Sequence, residues 1–226
     1  MISGETRLVG LLRDPLSTSL SPRMQNAAFA ARGLDWAYVP LGVRTEELEA
    51  GVRGLVALQF TGANVTTPHK LGVAKLVETD EPSVNTLLIR DGRAYGSSTD
   101  AAILRGLEFA RAAIIGDGGA AVAFAAALPG AHRFSRRGSW PPDVTGADLV
   151  INATSERDVA LVELRAGQVL VDLPYPLTAT ARAAEAAGAR VIDGLEVLVA
   201  QGAASFELWT GIPAPVEVMR AAVRSA

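Results

Sequence analysis

Short apolar runs alternate along the chain with stretches whose apolar residues recur at helical spacing. RLVGLL (7–12), WAYVPL (36–41) and LQFTGANV (58–65) predict strands. SPRMQNAAFAARG (21–33) predicts a helix with a Ser-Pro start, Ser21 as its cap and a glycine stop. TEELEAGVRG (45–54) predicts a second helix, capped by Thr45 and ended by Gly54. A third is expected over PHKLGVAKLV (68–77), with Pro68 in its first turn, where a missing N–H costs nothing. VNTLLIRDGRAYG (84–96) predicts a hairpin, because Asp91-Gly92 is a strong turn pair. TDAAILRGLEFA (99–110) predicts a long helix leading into a second unit.

That unit opens with AAIIGDGGAAVAFAAAL, which reads as a strand, a glycine-rich turn and an alanine-rich helix. Strands are expected at 131–135, 148–153, 168–173 and 189–192, a helix at 180–188, and two closing helices at 194–210 and 213–224. Alternation of this kind predicts an α/β protein of two lobes, each with a mostly parallel sheet.

Composition narrows the class. Of 226 residues, 49% are hydrophobic and 20% charged, as in a globular domain, and the net charge of −3 does not point to nucleic acid or an anionic membrane as partner. Cysteine is absent, which excludes disulfides and thiolate chemistry, and His69 and His132 are too far apart in sequence to suggest a metal site. His69 is expected to be solvent-facing or a packing residue. No signal-like segment opens the sequence, and no apolar run approaches the roughly 20 residues a membrane span needs. A cytoplasmic location is expected.

The turn IIGDGGAAVAF places Gly116, Gly118 and Gly119 between a strand and a helix. Glycines there let a dinucleotide pyrophosphate approach the N–H groups at a helix start, although a tight strand-to-helix turn reads the same way. The following strand ends in Ser135-Arg136-Arg137, with no acid. Arginine at that position accommodates the 2′-phosphate of NADP, so NADP is expected over NAD; an ordinary solvated arginine pair is the alternative. Asp117 sits inside the glycine turn, where its carboxylate would repel a pyrophosphate unless it points away.

The stretch TGANVTTPHK (61–70) is either a strand end followed by a helix start, or a hydroxyl, an amide and an amine presented together. Its neighbours favour the second. DPLSTSLSPRMQNAAF, NVTTPHK, VNTLLIRDGRAYGSSTD, IGDGGAA, FSRR, DLVINATS, VDLPYPLTA and GLEVLVAQGAASFELWTG, in this order, resemble the motifs of the shikimate dehydrogenase family from about Gly10 to Gly211.

The resemblance implies a Rossmann-like NADP-binding domain over 100–194. It also implies an α/β substrate-binding domain over 1–99, to which residues 195–226 return. The implied reaction is reversible reduction of 3-dehydroshikimate to shikimate by NADPH, in a monomer or homodimer. By the same resemblance Lys70 and Asp100 are the catalytic pair. Ser19 and Ser21 bind the substrate carboxylate; Thr66, Asn85 and Gln201 read ring hydroxyls, and Asn64 has a family counterpart in N-V-T. Gly116, Gly118, Gly119, Ala120, Ser135, Arg136, Arg137, Asn152, Ala153 and Thr154 would hold NADP. No metal is implied.

Several positions depart from the family pattern. Only GSWPPDVTGA separates Arg137 from the next strand, so a helix usual there is expected to be missing. Ser98-Thr99-Asp100-Ala101 stands for Asn-Thr-Asp-Gly, and the glycine turn lacks a following arginine. All of these touch the nucleotide, whereas the substrate residues are kept. Open alternatives are a shikimate-like ligand-binding protein without hydride transfer and a divergent quinate or aminoshikimate dehydrogenase. A folate dehydrogenase on the same plan is disfavoured by Ser19, Ser21 and Gln201.

Overall fold

The computed structural model describes residues 2–16 and 19–225. The chain forms two compact units, one of residues up to Asp100 together with those from Val199 onward, the other of Ala101–Leu198.

In the first unit, β1 (Arg7–Arg13), α1 (Ser21–Ala31), β2 (Trp36–Gly42), α2 (Leu48–Ala57), β3 (Gly62–Val65), α3 (Lys70–Val73), β4 (Thr86–Arg90) and β5 (Arg93–Ser97) follow in order. The five-stranded sheet has the order β2-β1-β3-β4-β5. β1 pairs parallel with β2 and β3, but β4 is antiparallel to both β3 and β5. The sheet is therefore mixed rather than mostly parallel. The hairpin accounts for this, since a two-residue turn joins only antiparallel strands. Asp91 and Gly92 both take positive φ, 50° and 72°, as a primed turn requires.

Three helices differ from expectation. α2 is preceded by a 3₁₀ turn at Thr45–Glu47 with no side-chain cap, and it runs past Gly54 to Ala57. Gln59 closes it at φ 56°, with Gln59 N–H bonded to the Val56 carbonyl and Phe60 N–H to that of Leu55. That is a Schellman ending without glycine. α3 begins at Lys70, after Pro68, because the His69 N–H is already held in a turn by the Thr66 carbonyl. Ser21 is the first residue of α1 rather than its cap, the cap position being Leu20.

The second unit contains β6 (Ala112–Ile115), α4 (Gly119–Ala127), β7 (His132–Phe134), β8 (Leu149–Asn152), β9 (Val169–Asp172), α5 (Ala179–Ala186) and β10 (Arg190–Ile192). Its sheet is parallel throughout, in the order β10-β9-β8-β6-β7. Alternate residues of each strand serve two cores. Ala113, Ile115, Val150 and Leu170 face the α5 side, while Ile114, Leu149, Ile151 and Val171 face the α4 side. This explains why these strands read as unbroken apolar runs. No helix lies between β7 and β8, so β7 is an edge strand.

The expected helix at 99–110 is only a 3₁₀ turn over Asp100–Leu104. Gly106 breaks it at φ 79°, and Ile103, Leu104, Leu107 and Phe109 pack separately on the second unit's core. α6 (Gly194–Thr210) starts in the second unit and ends in the first, and α7 (Val216–Arg224) lies against α1. Among the described residues no helix is long and apolar enough to cross a membrane.

Candidate active site

The strand directions of the first unit bring distant residues to one sheet edge. β5 runs antiparallel to β4, which runs antiparallel to β3, so the ends of β3 and β5 and the start of β4 coincide. Thr66–Lys70 follow β3, Asp100 follows β5, and Asn85 precedes β4.

There Lys70 Nζ donates to both carboxylate oxygens of Asp100 at 2.7 Å, with side chains only 12% and 9% exposed. The Lys70 carbonyl accepts from Val84 N–H, which fixes the start of α3 against the approach to β4. His69 is buried, and its Nε2 donates to the Val43 carbonyl at 2.8 Å, so it is a packing residue. An ammonium held beside a carboxylate in a half-dry site can stabilise negative charge on a nearby oxygen and deliver a proton to it.

A buried polar network lies beneath this pair. Asn85 Nδ2 donates to Asp100 Oδ1 at 2.9 Å and to Thr99 Oγ1 at 3.0 Å, and it reaches Gln201 Oε1 on α6 at 3.4 Å. Its Oδ1 accepts from the Thr99 backbone N–H at 2.8 Å and from the Thr86 hydroxyl at 3.0 Å. Ser205, on α6, lies 2.8 Å from Thr86 Oγ1 and 3.1 Å from Thr99 Oγ1, and accepts from Asn64 Nδ2 at 3.0 Å. Asn64 Oδ1 in turn accepts from the Tyr38 hydroxyl at 2.9 Å. Burial pushes the Tyr38 pKa far up, so the phenol stays a neutral donor. One chain of hydrogen bonds thus runs from Tyr38 to Lys70.

The structure brings Lys70, Asp100, Asn85 and Gln201 together. Ser21 N–H donates to Ser19 Oγ at 3.3 Å, while Ser17 and Thr18 of the same motif lie outside the described residues. Among the described residues the half-buried Thr66 makes no side-chain hydrogen bond, which leaves its hydroxyl for a ligand. Asn64 is turned wholly inward. Sequence reading had no signal for Tyr38, Thr86 or Ser205, whose partners are remote in the chain.

In the second unit the candidate cofactor segments surround the point where strand order reverses about β6. Ligands of doubly wound sheets bind there, outside the carboxyl ends of the strands. Gly116 takes φ 133°, and a Cβ on it would stand 2.8 Å from the Ala153 carbonyl oxygen. Gly118 is the cap residue of α4, with no side-chain cap, and a Cβ there would meet open space. The first N–H groups of α4, from Gly119 and Ala120 onward, are therefore left for an anion.

A tight turn, with Gly138 N–H on the Ser135 carbonyl, carries Arg136 and Arg137 at its tip. Both are exposed. Arg136 lies 3.6 Å from Glu156 and 5.6 Å from the Trp140 ring centre; Arg137 lies 3.7 Å from Asp117. Asp117 is thus drawn towards an arginine. Asn152, by contrast, points inward: its Nδ2 donates to Asp172 Oδ1 at 2.7 Å, and its Oδ1 accepts from the Thr154 N–H and hydroxyl. Asn152 shapes the Ala153-Thr154 loop from within. Asp172 also accepts from the Thr178 hydroxyl, and burial raises its pKa.

A parallel sheet of this order with a glycine turn at its switch point is a Rossmann-like dinucleotide-binding fold, here joined to a separate α/β unit with a lysine–carboxylate pair. Residues 11–87 match the family profile described as the shikimate dehydrogenase substrate binding domain, and 194–224 that of the shikimate 5′-dehydrogenase C-terminal domain. The NADP(+) shikimate dehydrogenase of Anaeromyxobacter dehalogenans is 38% identical across 100% of this chain and 98% of its own length. That alignment runs over 274 positions against 226 residues here, so the relative carries segments without counterpart in this chain. A crystal structure of a shikimate dehydrogenase in complex with NADP+ superposes with a TM-score of 0.89 at 32% identity, covering 100% of this chain and 97% of that one. The Thermus thermophilus shikimate 5-dehydrogenase, in complex with NADP(H) and shikimate, gives 0.84 at 30% identity, covering 97% and 99%. The chain belongs to the shikimate dehydrogenase family.

Proposed function

We propose that the chain is an NADP-dependent shikimate dehydrogenase, reversibly reducing 3-dehydroshikimate to shikimate. The observation that carries this reading is the buried Lys70–Asp100 pair, with Asn85 and Gln201 beside it in the unit that matches the substrate-binding profile. Residues 1–99 with 195–226 serve as the substrate domain and 100–194 as the dinucleotide domain.

The second unit fits the cofactor. The conformation of Gly116, the open space at Gly118 and the uncapped start of α4 suit a pyrophosphate on the N–H groups of Gly118, Gly119 and Ala120. Ser135, Arg136 and Arg137 suit a 2′-phosphate, and Asn152, Ala153 and Thr154 form the facing loop. NADPH, when bound, supplies the hydride to the ketone carbon of the substrate. As the carbonyl oxygen gains negative charge, the Lys70 ammonium stabilises it and gives up a proton to it, yielding the hydroxyl. Asp100 holds the Lys70 amine in place, and in the oxidation direction the amine takes the proton back. Ser19 and Ser21 receive the substrate carboxylate, and Thr66, Asn85 and Gln201 receive its hydroxyls. A site so lined rejects analogues lacking a hydroxyl, because its own polar groups are then left unpaired.

The test is reduced-cofactor formation on mixing the protein with shikimate and either NADP or NAD. Turnover is expected with shikimate, and faster with NADP. Replacing Arg136 and Arg137 together by alanine is expected to raise the KM for NADP by about ten- to a hundredfold while leaving that for NAD unchanged. Asp117→Asn, which frees Arg137, is expected to lower the KM for NADP by no more than about fivefold, since an exposed pair this long is weak. No turnover with either cofactor, alongside thermal stabilisation by shikimate, would instead identify a ligand-binding protein that keeps the substrate site. Faster turnover of quinate or an amino analogue would reassign the substrate.

A further inference from the structure

Thr86 and Ser205 are fully buried, at 1% and 0% exposure, and neither has a place in the mechanism above. Thr86 stands in β4 opposite Asn64 on β3 and Ser97 on β5. Ser205 comes from α6, and its single proton serves either Thr86 Oγ1 at 2.8 Å or the Gln201 carbonyl one turn back at 3.0 Å. Together they knit α6 to the sheet directly below Asn85.

The consequence falls on the Asn85 amide. Its oxygen is occupied from below by the Thr99 N–H at 2.8 Å, the Thr99 hydroxyl at 3.1 Å and the Thr86 hydroxyl at 3.0 Å. Its nitrogen is therefore the end held against Asp100 and Gln201. A flipped amide would place its oxygen against the Asp100 carboxylate and its N–H₂ against the Thr99 N–H. Both contacts are repulsive. With the amide locked, Asp100 Oδ1 receives one donor from Lys70 and one from Asn85, which sets the direction of the carboxylate. The Asn85 amide nitrogen thus stands between two acceptor oxygens, those of Asp100 and Gln201. Such a pattern suits hydroxyl groups, which both donate and accept.

We propose that Thr86 and Ser205 are positioning residues for this reaction. The Thr86 hydroxyl, itself held by Ser205, acts with the Thr99 N–H to hold the Asn85 amide in the orientation that aligns Asp100 and makes recognition depend on substrate hydroxyls. The inference rests on the dehydrogenase reading. Both act through Asn85, so their loss falls on the substrate side of the kinetics and not on the nucleotide.

Thr86→Val removes the hydroxyl and keeps the shape, whereas Thr86→Ser keeps the hydroxyl and removes a methyl group. Steady-state kinetics with shikimate and NADP, run on variants shown by thermal melting to be folded, separate the two effects. Thr86→Val is expected to lower kcat/KM for shikimate by about ten- to a hundredfold with the KM for NADP unchanged. Thr86→Ser is expected to restore most of that loss, and Ser205→Ala to fall in the same direction as Thr86→Val. Equal losses in Thr86→Val and Thr86→Ser, or a folded Thr86→Val with wild-type constants for shikimate, overturn the proposal and leave the dehydrogenase reading standing. If the unaltered protein does not turn over shikimate, the dehydrogenase reading falls, and this proposal with it, whether or not shikimate stabilises the fold.

Discussion

Replacing Lys70 by alanine lowers kcat for shikimate oxidation by about a thousandfold, as expected when a positioned proton-transfer group is removed. Asp100→Asn has an effect of similar size, because it discharges the carboxylate that both oxygens of the Lys70 contact depend on. The double variant is expected to lose little more than either single one, since two residues acting as a unit are not additive. Stability changes as well. Each partner is mostly buried, and deleting one strands a charge of the other, at a cost of about 3–5 kcal/mol. The stranded charges differ in support. Asp100 without Lys70 still accepts from Asn85, whereas Asp100 supplies the carboxylate that Lys70 Nζ contacts. Lys70→Ala is therefore expected to be the more stable of Lys70→Ala and Asp100→Ala. Kinetics at a temperature where both remain folded, with melting curves beside them, check both statements. Full activity in either variant would remove the pair from the mechanism.

The second large effect is expected at the glycine turn. Gly116→Ala forces a side chain into a left-handed backbone and places its Cβ 2.8 Å from a backbone oxygen of the β8 loop. The backbone strain alone costs about 1–3 kcal/mol, and the collision displaces the loop that faces the nucleotide. Loss of detectable NADP binding is expected, while stabilisation by shikimate survives, because the substrate residues lie in the other unit. Gly118→Ala is the informative comparison. Its φ is −76° and a Cβ there meets nothing, so the protein should melt as the unaltered chain does. Weaker NADP binding in Gly118→Ala, without a change in melting, would mean that the space above α4 belongs to the ligand. Unchanged binding in both variants would place the nucleotide elsewhere. Fluorescence titration with NADPH, paired with thermal melting, gives both readouts.

Sequence alone determined most of what is local. Strand positions in the second unit follow from unbroken apolar runs, and the hairpin from Asp91-Gly92, because a two-residue turn of that chemistry has one good backbone solution. Motif order disclosed the family and singled out Lys70, Asp100, Asn85 and Gln201. Helix limits were less legible. The 99–110 stretch has helical periodicity, yet Gly106 and the use of Thr99 by Asn85 leave a single 3₁₀ turn. The inward direction of Asn152 was likewise invisible, since an asparagine at a strand end reads the same whether it faces Asp172 or a nucleotide. Only the tertiary structure decided the network under the catalytic pair. Asn64 and Ser205 are 141 residues apart, and Thr86 and Ser205 119. A serine on a helix carries no mark of which strand will cover it. That partner is chosen when α6 packs on the mixed sheet, and burial then makes each hydroxyl find an acceptor or leave a polar group unpaired.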